Sequence, residues 1–402
     1  MPGSITEAVE GYRQDMLRTM ERMIAIPAIS PLSGGKGEKE RAGFLKSVLE
    51  SWGFKVDVRE YQDSTGTPRT NLTTKLGSGK KTIWIVPHID TVSEGDRALW
   101  DGDPFKARFE NGKIYGRGTS DDGQSVVSAM YTIKALKDFG EDRMKYGLGL
   151  AFAADEELGS KYGIQKLIDD GIFGAGDLAI VPDSGNQKGD AIEIAEKAQV
   201  WLKITAIGKE VHAATPAKGV NAYRKMIKFL ADLDERLHNK YGRTDQLFHP
   251  PGSTFEMTKH EKNVESMNII PGIEVSYIDC RLLPDYDTDE LLSYVKSVAE
   301  EHSTGDYDRI AIDVAQKEPF APPTSRDSEI VRLLSEAIRR QRGFTPTLEG
   351  IGGGTCAAFL RRKGIDTAVW MTYCGMAHQP NEYTYLDNIV NDAKVFASLF
   401  VD

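Results

Sequence analysis

Cysteine is scarce in this sequence. The 402 residues contain 3, Cys280, Cys356 and Cys374, which are scattered, odd in number and outside any CxxC pair. That pattern speaks against a disulfide framework and a thiolate metal knuckle, and it fits a reducing compartment. Long hydrophobic runs are also missing. The longest, Ile83 to Pro87 and Leu148 to Ala154, fall far short of the ~20 apolar residues that a bilayer span requires. The first residues, MPGSITEAVEGYRQDM, carry acids and no apolar core of the signal-peptide kind, so the chain reads as cytoplasmic, with no membrane partner. Bases are outnumbered: 50 Lys+Arg face 60 Asp+Glu, a net charge of -10 that repels a polyanion, so no nucleic-acid partner is expected. Glycine (39) and proline (17) stay at ordinary loop content, against collagen-like or disordered chains. What is present is 40% hydrophobic and 27% charged, a globular composition with length for two or three domains of roughly 150 residues.

The pattern along the chain divides in two. Ser4 and Glu7 have capping-box spacing before an amphipathic run through Met16, Met20, Met23 and Ile24, so a helix opens the chain. Strand-like runs at 55–60, 71–75, 82–87, 147–154 and 178–182 then alternate with helical periods at 41–52, 125–137 and 158–169. This is the rhythm of an α/β domain with a mostly parallel sheet flanked by helices. From about residue 190 the order becomes β-α-β-β-α-β, that of a split βαβ, ferredoxin-like α+β domain. The α/β rhythm resumes with helices at 328–340 and 388–401 around a strand near 367–372. The reading is a first domain of residues 1–193 and 319–402 that carries an inserted domain of 194–318.

Acids and histidines gather at strand ends of the first domain, where open α/β sheets place their ligands. In Pro87-His88-Ile89-Asp90-Thr91, His88 and Asp90 share a face, so the imidazole could take a metal while the carboxylate orients it, or the two could form a loop hydrogen bond. In the glycine-rich stretch 116–123, Asp121 and Asp122 could meet a cation or favour the helix dipole. Asp155-Glu156-Glu157 again leads from strand to helix, Asp183 ends a buried strand, and His378 lies in a loop near the end of the chain. If the strand ends converge, five or more carboxylates crowd one rim, and their mutual repulsion is relieved by two divalent cations.

Taken together, HID (88–90), GRGTSDDG (116–123), DEELGS (155–160), PDSG (182–185) and HQPNEY (378–383) resemble the M20 metallopeptidase family. Its members include succinyl-diaminopimelate desuccinylase, acetylornithine deacetylase, aminoacylase and dipeptidases. The resemblance covers nearly the whole chain, with the motifs in order and the insertion in the family's place. It implies a zinc-exopeptidase-like catalytic domain with an inserted lid and dimerisation domain, and a dinuclear zinc site in which cobalt or manganese could substitute. His88 and Asp183 would bind one ion, Glu157 and His378 the other, and Asp121 would bridge them across a cis Asp121–Asp122 peptide. Asp90 would orient His88, and Glu156 would be the general base in hydrolysis of an N-acyl amino acid.

In the inserted domain His212, followed by Asn221 in GVNA, resembles the family's oxyanion-stabilising histidine, supplied by a second subunit in dimeric members. Asn268 and Arg281 match substrate-binding lid positions, with an ion pair to Asp279 or Asp285 open as another role for Arg281. Gly350 to Thr355 misses the GxGxxG and P-loop patterns. In the family this stretch, here Gly353, Gly354 and Thr355, lies near the substrate carboxylate. The size of the insertion is compatible with a homodimer. Dipeptidase or carboxypeptidase activity on a short peptide is the rival reading. A non-catalytic binding protein on the same scaffold predicts loss of a ligand or the base, and every such position is filled.

Overall fold

Strands Gly147–Phe152, Thr82–Ile85, Leu178–Asn186 and Asp366–Thr372 lie side by side in that order and run parallel. Residues 83–85, 147–152 and 367–372 are buried without a break. Helices cover both faces, so the strands read as apolar runs and not as an alternation. On one face Trp84, Ala151, Ala179 and Val369 pack with residues of helices Ile164–Asp169 and Cys356–Arg362. Ile83, Ile85, Leu148 and Leu150, on alternate positions, turn to the other face, where helices Gln124–Phe139, Glu329–Arg342 and Leu386–Ala397 pack. Among the described residues the sheet has eight strands. Pro68–Leu76 and Asp57–Gln62 extend it antiparallel on one side, Ala191–Glu196 joins Asp366–Thr372 antiparallel on the other, and Thr347–Ile351 forms the edge.

The computed structural model describes residues 3–77, 81–318 and 320–401. Residues 1, 2, 319 and 402, at ends of the expected domain segments, lie outside the described residues. The chain forms two units, one of Met1–Ile194, Thr324–Glu349 and Thr355–Asp402, the other of Ala195–Pro323 with Gly350–Gly354. Gly350–Gly354, placed by the sequence pattern in the first domain, groups with the second. Gly350 donates its N–H to the Leu247 carbonyl (2.7 Å) and Ile351 accepts from Lys197 N–H (3.0 Å).

The second unit has strands in the order Thr254–His260, Ile273–Leu282, Ala198–Ile207, Arg309–Glu318, all pairs antiparallel. Helices Ala222–Lys240 and Thr288–Glu301 cover one face, over Val200, Leu202, Ile204, Ile278 and Cys280. In chain order one helix follows Ala198–Ile207 and the other follows Ile273–Leu282, which makes this a ferredoxin-like sandwich.

Two local expectations change. The opening helix is two, Ile5–Glu10 and Arg13–Ile24, because the chain turns at Gly11 and Tyr12, whose N–H groups close on Glu7 and Val9 carbonyls. Ser4 does cap the first, accepting Glu7 N–H at 3.2 Å. The helix expected from Leu158 begins only at Ile164. Asp155, Gly159 and Ser160 all take positive φ (63°, 94°, 59°), and the chain makes a tight loop there first. Among the described residues no helix is long and apolar enough to cross a membrane, and the three cysteines are free and buried.

Candidate metal centre

The four parallel strands deliver the candidate residues from their carboxyl ends, all within the first unit. His88 follows Thr82–Ile85, Glu156 and Glu157 follow Gly147–Phe152, Asp183 lies in Leu178–Asn186, and His378 follows Asp366–Thr372. Asp121 comes from the turn before helix Gln124–Phe139.

His88 Nε2 stands 2.9 Å from Asp121 Oδ1 and 3.7 Å from Asp183 Oδ1. His378 Nε2 stands 3.1 Å from Asp121 Oδ2 and 3.0 Å from Glu157 Oε2. The two oxygens of Asp121 thus serve two different donor groups. Ligand atoms of His88, Asp121 and Glu157 lie within 4.8 Å of one another, as do those of His88, Glu156 and Asp183. The Asp121–Asp122 peptide is cis. Asp90, fully buried, accepts backbone N–H groups of Glu156 and Glu157 and lies 3.5 Å from His88 Nδ1, a ring nitrogen that also sits 3.2 Å from the Asp90 carbonyl.

Burial, hydrogen bonds and mutual charge shift the acids and imidazoles of this cluster. Desolvation raises the carboxyls of Glu156 and Asp183 and pushes Glu157 up to about 7, with the Asp121 charge adding to the effect at Glu157. Burial would raise Asp121 too, but His378 and His88 hold it low. Hydrogen bonds to Asp121 and Glu157 push His378 up to about 10. Burial opposes charge on His88, yet Asp121, Asp183 and Asp90 together raise it well above its ordinary value. Protons on the imidazoles thus stand in for positive charge that the acids demand. Two imidazoles and several carboxylates, with no thiolate among them, make a donor set that could hold divalent cations.

In the second unit His212 and Asn268 come together. Val211–His212 pairs with Ile269–Ile270, and Ala213 N–H donates to the Asn268 carbonyl (2.8 Å). Asn221 caps helix Ala222–Lys240 through Arg224 N–H, and Arg281 forks onto Asp279 (2.6 and 2.9 Å) and reaches the Gly352 carbonyl (3.0 Å). Gly353 and Gly354 are exposed in this unit, and Thr355, in the first, caps helix Cys356–Arg362.

Several residues outside the expected ligand set support the cluster. Asp122 accepts the backbone N–H of His88 (3.2 Å). Buried Arg69 joins Glu38 to Asp155 at the start of the loop that bears Glu156 and Glu157. Buried Arg41 donates to the Ile89 carbonyl between His88 and Asp90 (3.1 Å). Glu382, inside the HQPNEY motif, binds the loop before Asp121.

Residues 84–402 match the model of peptidase family M20/M25/M40. An uncharacterised metallohydrolase of Methanococcus maripaludis is 39% identical, across 94% of this chain and 96% of that one. A succinyl-diaminopimelate desuccinylase of Rickettsia bellii is 25% identical over 92% of each chain. The crystal structure of an M20 family metallo-carboxypeptidase from Sulfolobus solfataricus superposes with a TM-score of 0.77 at 21% identity, over 96% of this chain and 98% of that one. The chain therefore belongs to the M20/M25/M40 peptidase family, whose members are metal-dependent hydrolases.

Proposed function

We propose that this protein hydrolyses the amide bond of an N-acyl amino acid, in the manner of a desuccinylase or deacylase, at a centre of two divalent cations. The observation that carries the reading is the Asp121 carboxylate, with one oxygen toward His88 and the other toward His378. His88 and Asp183 are assigned to one ion, Glu157 and His378 to the other, and Asp121 to both. Zinc suits these ligands, as do cobalt and manganese. When bound, the ions supply Lewis acidity toward the scissile carbonyl and toward a water.

The protein's own groups do the rest. Glu156, whose carboxyl desolvation raises, takes the proton from water and returns it to the leaving amine. The products are a carboxylic acid and a free amine. Asp90 holds His88 in orientation. His212 is assigned to the oxyanion. Its Nδ1 accepts Ala214 N–H at 3.0 Å, so the neutral ring carries its proton on Nε2, ready to donate. Asn268, Asn221, Arg281, Gly353, Gly354 and Thr355 are the proposed substrate contacts, and a homodimer the proposed assembly. The desuccinylase at 25% identity over almost the full length supports the deacylase side of the family.

The test is a substrate panel of N-succinyl amino acids, N-acetyl amino acids and unblocked dipeptides. Protein dialysed against a chelator should be inactive and should recover N-acyl hydrolysis with zinc or cobalt. A clear preference for unblocked dipeptides would overturn the deacylase reading in favour of a peptidase.

A further inference from the structure

Glu382 is fully buried, and its carboxylate receives four donors from one short loop. Oε1 accepts the backbone N–H groups of Ser120 (2.8 Å) and Asp121 (3.0 Å). Oε2 accepts the N–H of Gly118 (2.9 Å) and the buried Arg117 guanidinium (2.7 Å). The Glu382 carbonyl takes a fifth, from Gly116 N–H (2.9 Å), and the next residue, Tyr383, pairs with Tyr115 in a short antiparallel ladder. One residue thus takes up four of the six backbone N–H groups from Gly116 to Asp121.

The loop has little other choice of shape. Gly118 takes φ of 78°, and a Cβ there would come within 2.5 Å of the Thr91 methyl, so neither the backbone angle nor the space suits another residue. The same short segment that carries Glu382 also carries His378, and the turn between them is pinned. Asn381 Oδ1 accepts Asp101 N–H (2.8 Å), Asn381 Nδ2 donates to the Leu99 carbonyl (3.2 Å), and Gln379 Nε2 donates to the Gly375 carbonyl (2.8 Å). His378 and Asp121, far apart in sequence, are therefore joined through Glu382 by a few residues of fixed chain.

The His88 side is anchored differently. Its backbone N–H goes to Asp122 and its ring to Asp90, and neither bond involves Glu382. In the group of His378, Glu157 and Asp121, two of the three donors depend on Glu382. In the group of His88, Asp183 and Asp121, only Asp121 does.

We infer that Glu382 is a positioning residue that sets the distance between His378 and Asp121, and so governs the affinity of one cation position far more than the other. This rests on the two-ion reading above. A glutamine cannot replace it, because an amide offers a single acceptor oxygen, and its NH₂ would meet either the Ser120 and Asp121 donors or Gly118 and Arg117. An aspartate keeps the charge opposite Arg117 but shortens the reach by one methylene.

The experiment titrates cobalt(II) into the full-length, metal-free protein and follows both heat and visible absorption. Wild type should take up two equivalents in two steps. Glu382→Gln should keep one step near its wild-type affinity and lose about 10–100-fold in the other, together with that step's absorption band. Glu382→Asp should fall between them. Should Glu382→Gln not fold, the same comparison is made with Glu382→Asp. Fewer than two equivalents in wild type would reject the two-ion reading, and the inference with it. Two equivalents in wild type with both steps unchanged in the variant, or both weakened alike, would leave that reading standing and reject the inference.

Discussion

Asp90 accepts the Glu156 backbone N–H at 3.0 Å through one carboxylate oxygen and the Glu157 N–H at 3.2 Å through the other. A single buried side chain thereby fixes the segment bearing the candidate base and one candidate ligand, while also standing beside His88.

Asp90→Asn should therefore cost more than the orientation of one imidazole. The amide would turn an NH₂ toward one of two backbone donors and leave that donor unpaired, at about 1–3 kcal/mol of stability. Metal affinity should also drop about 10–100-fold. Denaturant titration and chelator competition measure the two effects. A variant of normal stability and normal affinity would show that Asp90 holds nothing in place.

Glu156 and Glu157, adjacent in sequence, should fail in different ways. Glu156→Gln is expected to keep its metal content and lose about 10²–10⁴-fold in kcat. Glu157→Ala should lower bound metal, read by elemental analysis. Near-normal kcat in metal-replete Glu156→Gln would remove it as the base.

Metal uptake should release protons. In the metal-free protein His378 is pushed up to about 10 by Asp121 and Glu157, so its ring holds a proton at pH 7, and the acids around His88 shift that ring in the same direction. Ligation needs neutral imidazole, and proton competition weakens binding as pH falls. Affinity should thus climb with pH through the 7–10 window, and more steeply below 7, where Glu157, at about 7, also gives up a proton. Calorimetric titrations in buffers of different ionisation heat count the protons. A count of zero at pH 7 would contradict the expected charge exchange.

Arg69→Met should destabilise the fold, by about 3–5 kcal/mol, because it strands Glu38 and Asp155 as unpaired buried charges. Urea unfolding measures it. The loop from Asp155 to Ser160 should be the first part to gain hydrogen exchange, and unchanged exchange there would mean that Arg69 does not support it.

The sequence made some of this legible and not the rest, for physical reasons. The four parallel strands show as apolar runs because both their faces are covered, and the residues that end them, His88, Asp155 to Glu157 and Asp183, mark the site because polar groups stand out where such runs stop. The order of elements from 198 to 318 shows the second unit because its two central strands, Ala198–Ile207 and Ile273–Leu282, alternate over one buried face and amphipathic helices separate the strands. Strands Ala191–Glu196 and Thr347–Ile351 do not show, since Glu193 and Glu349 interrupt any simple pattern. The delayed helix at Ile164 depends on positive φ at Asp155 and Ser160, angles that neither residue type demands. Glu382, Arg69 and Arg41 escape for a common reason. Their partners are backbone groups or side chains brought near only by the fold, and no spacing rule encodes those meetings.

The strand order of the second unit has one more consequence. Its first and last strands, Ala198–Ile207 and Arg309–Glu318, are direct neighbours, with Gln199 opposite Glu318. The polypeptide therefore leaves the α/β sheet and returns to it through two adjacent threads. For the rest of the chain, the segment Ala195–Pro323 is topologically no more than a long loop, so the ends to be joined stay close whatever lies between them. That module can change in length without redrawing the sheet whose strand ends carry His88 and Asp183.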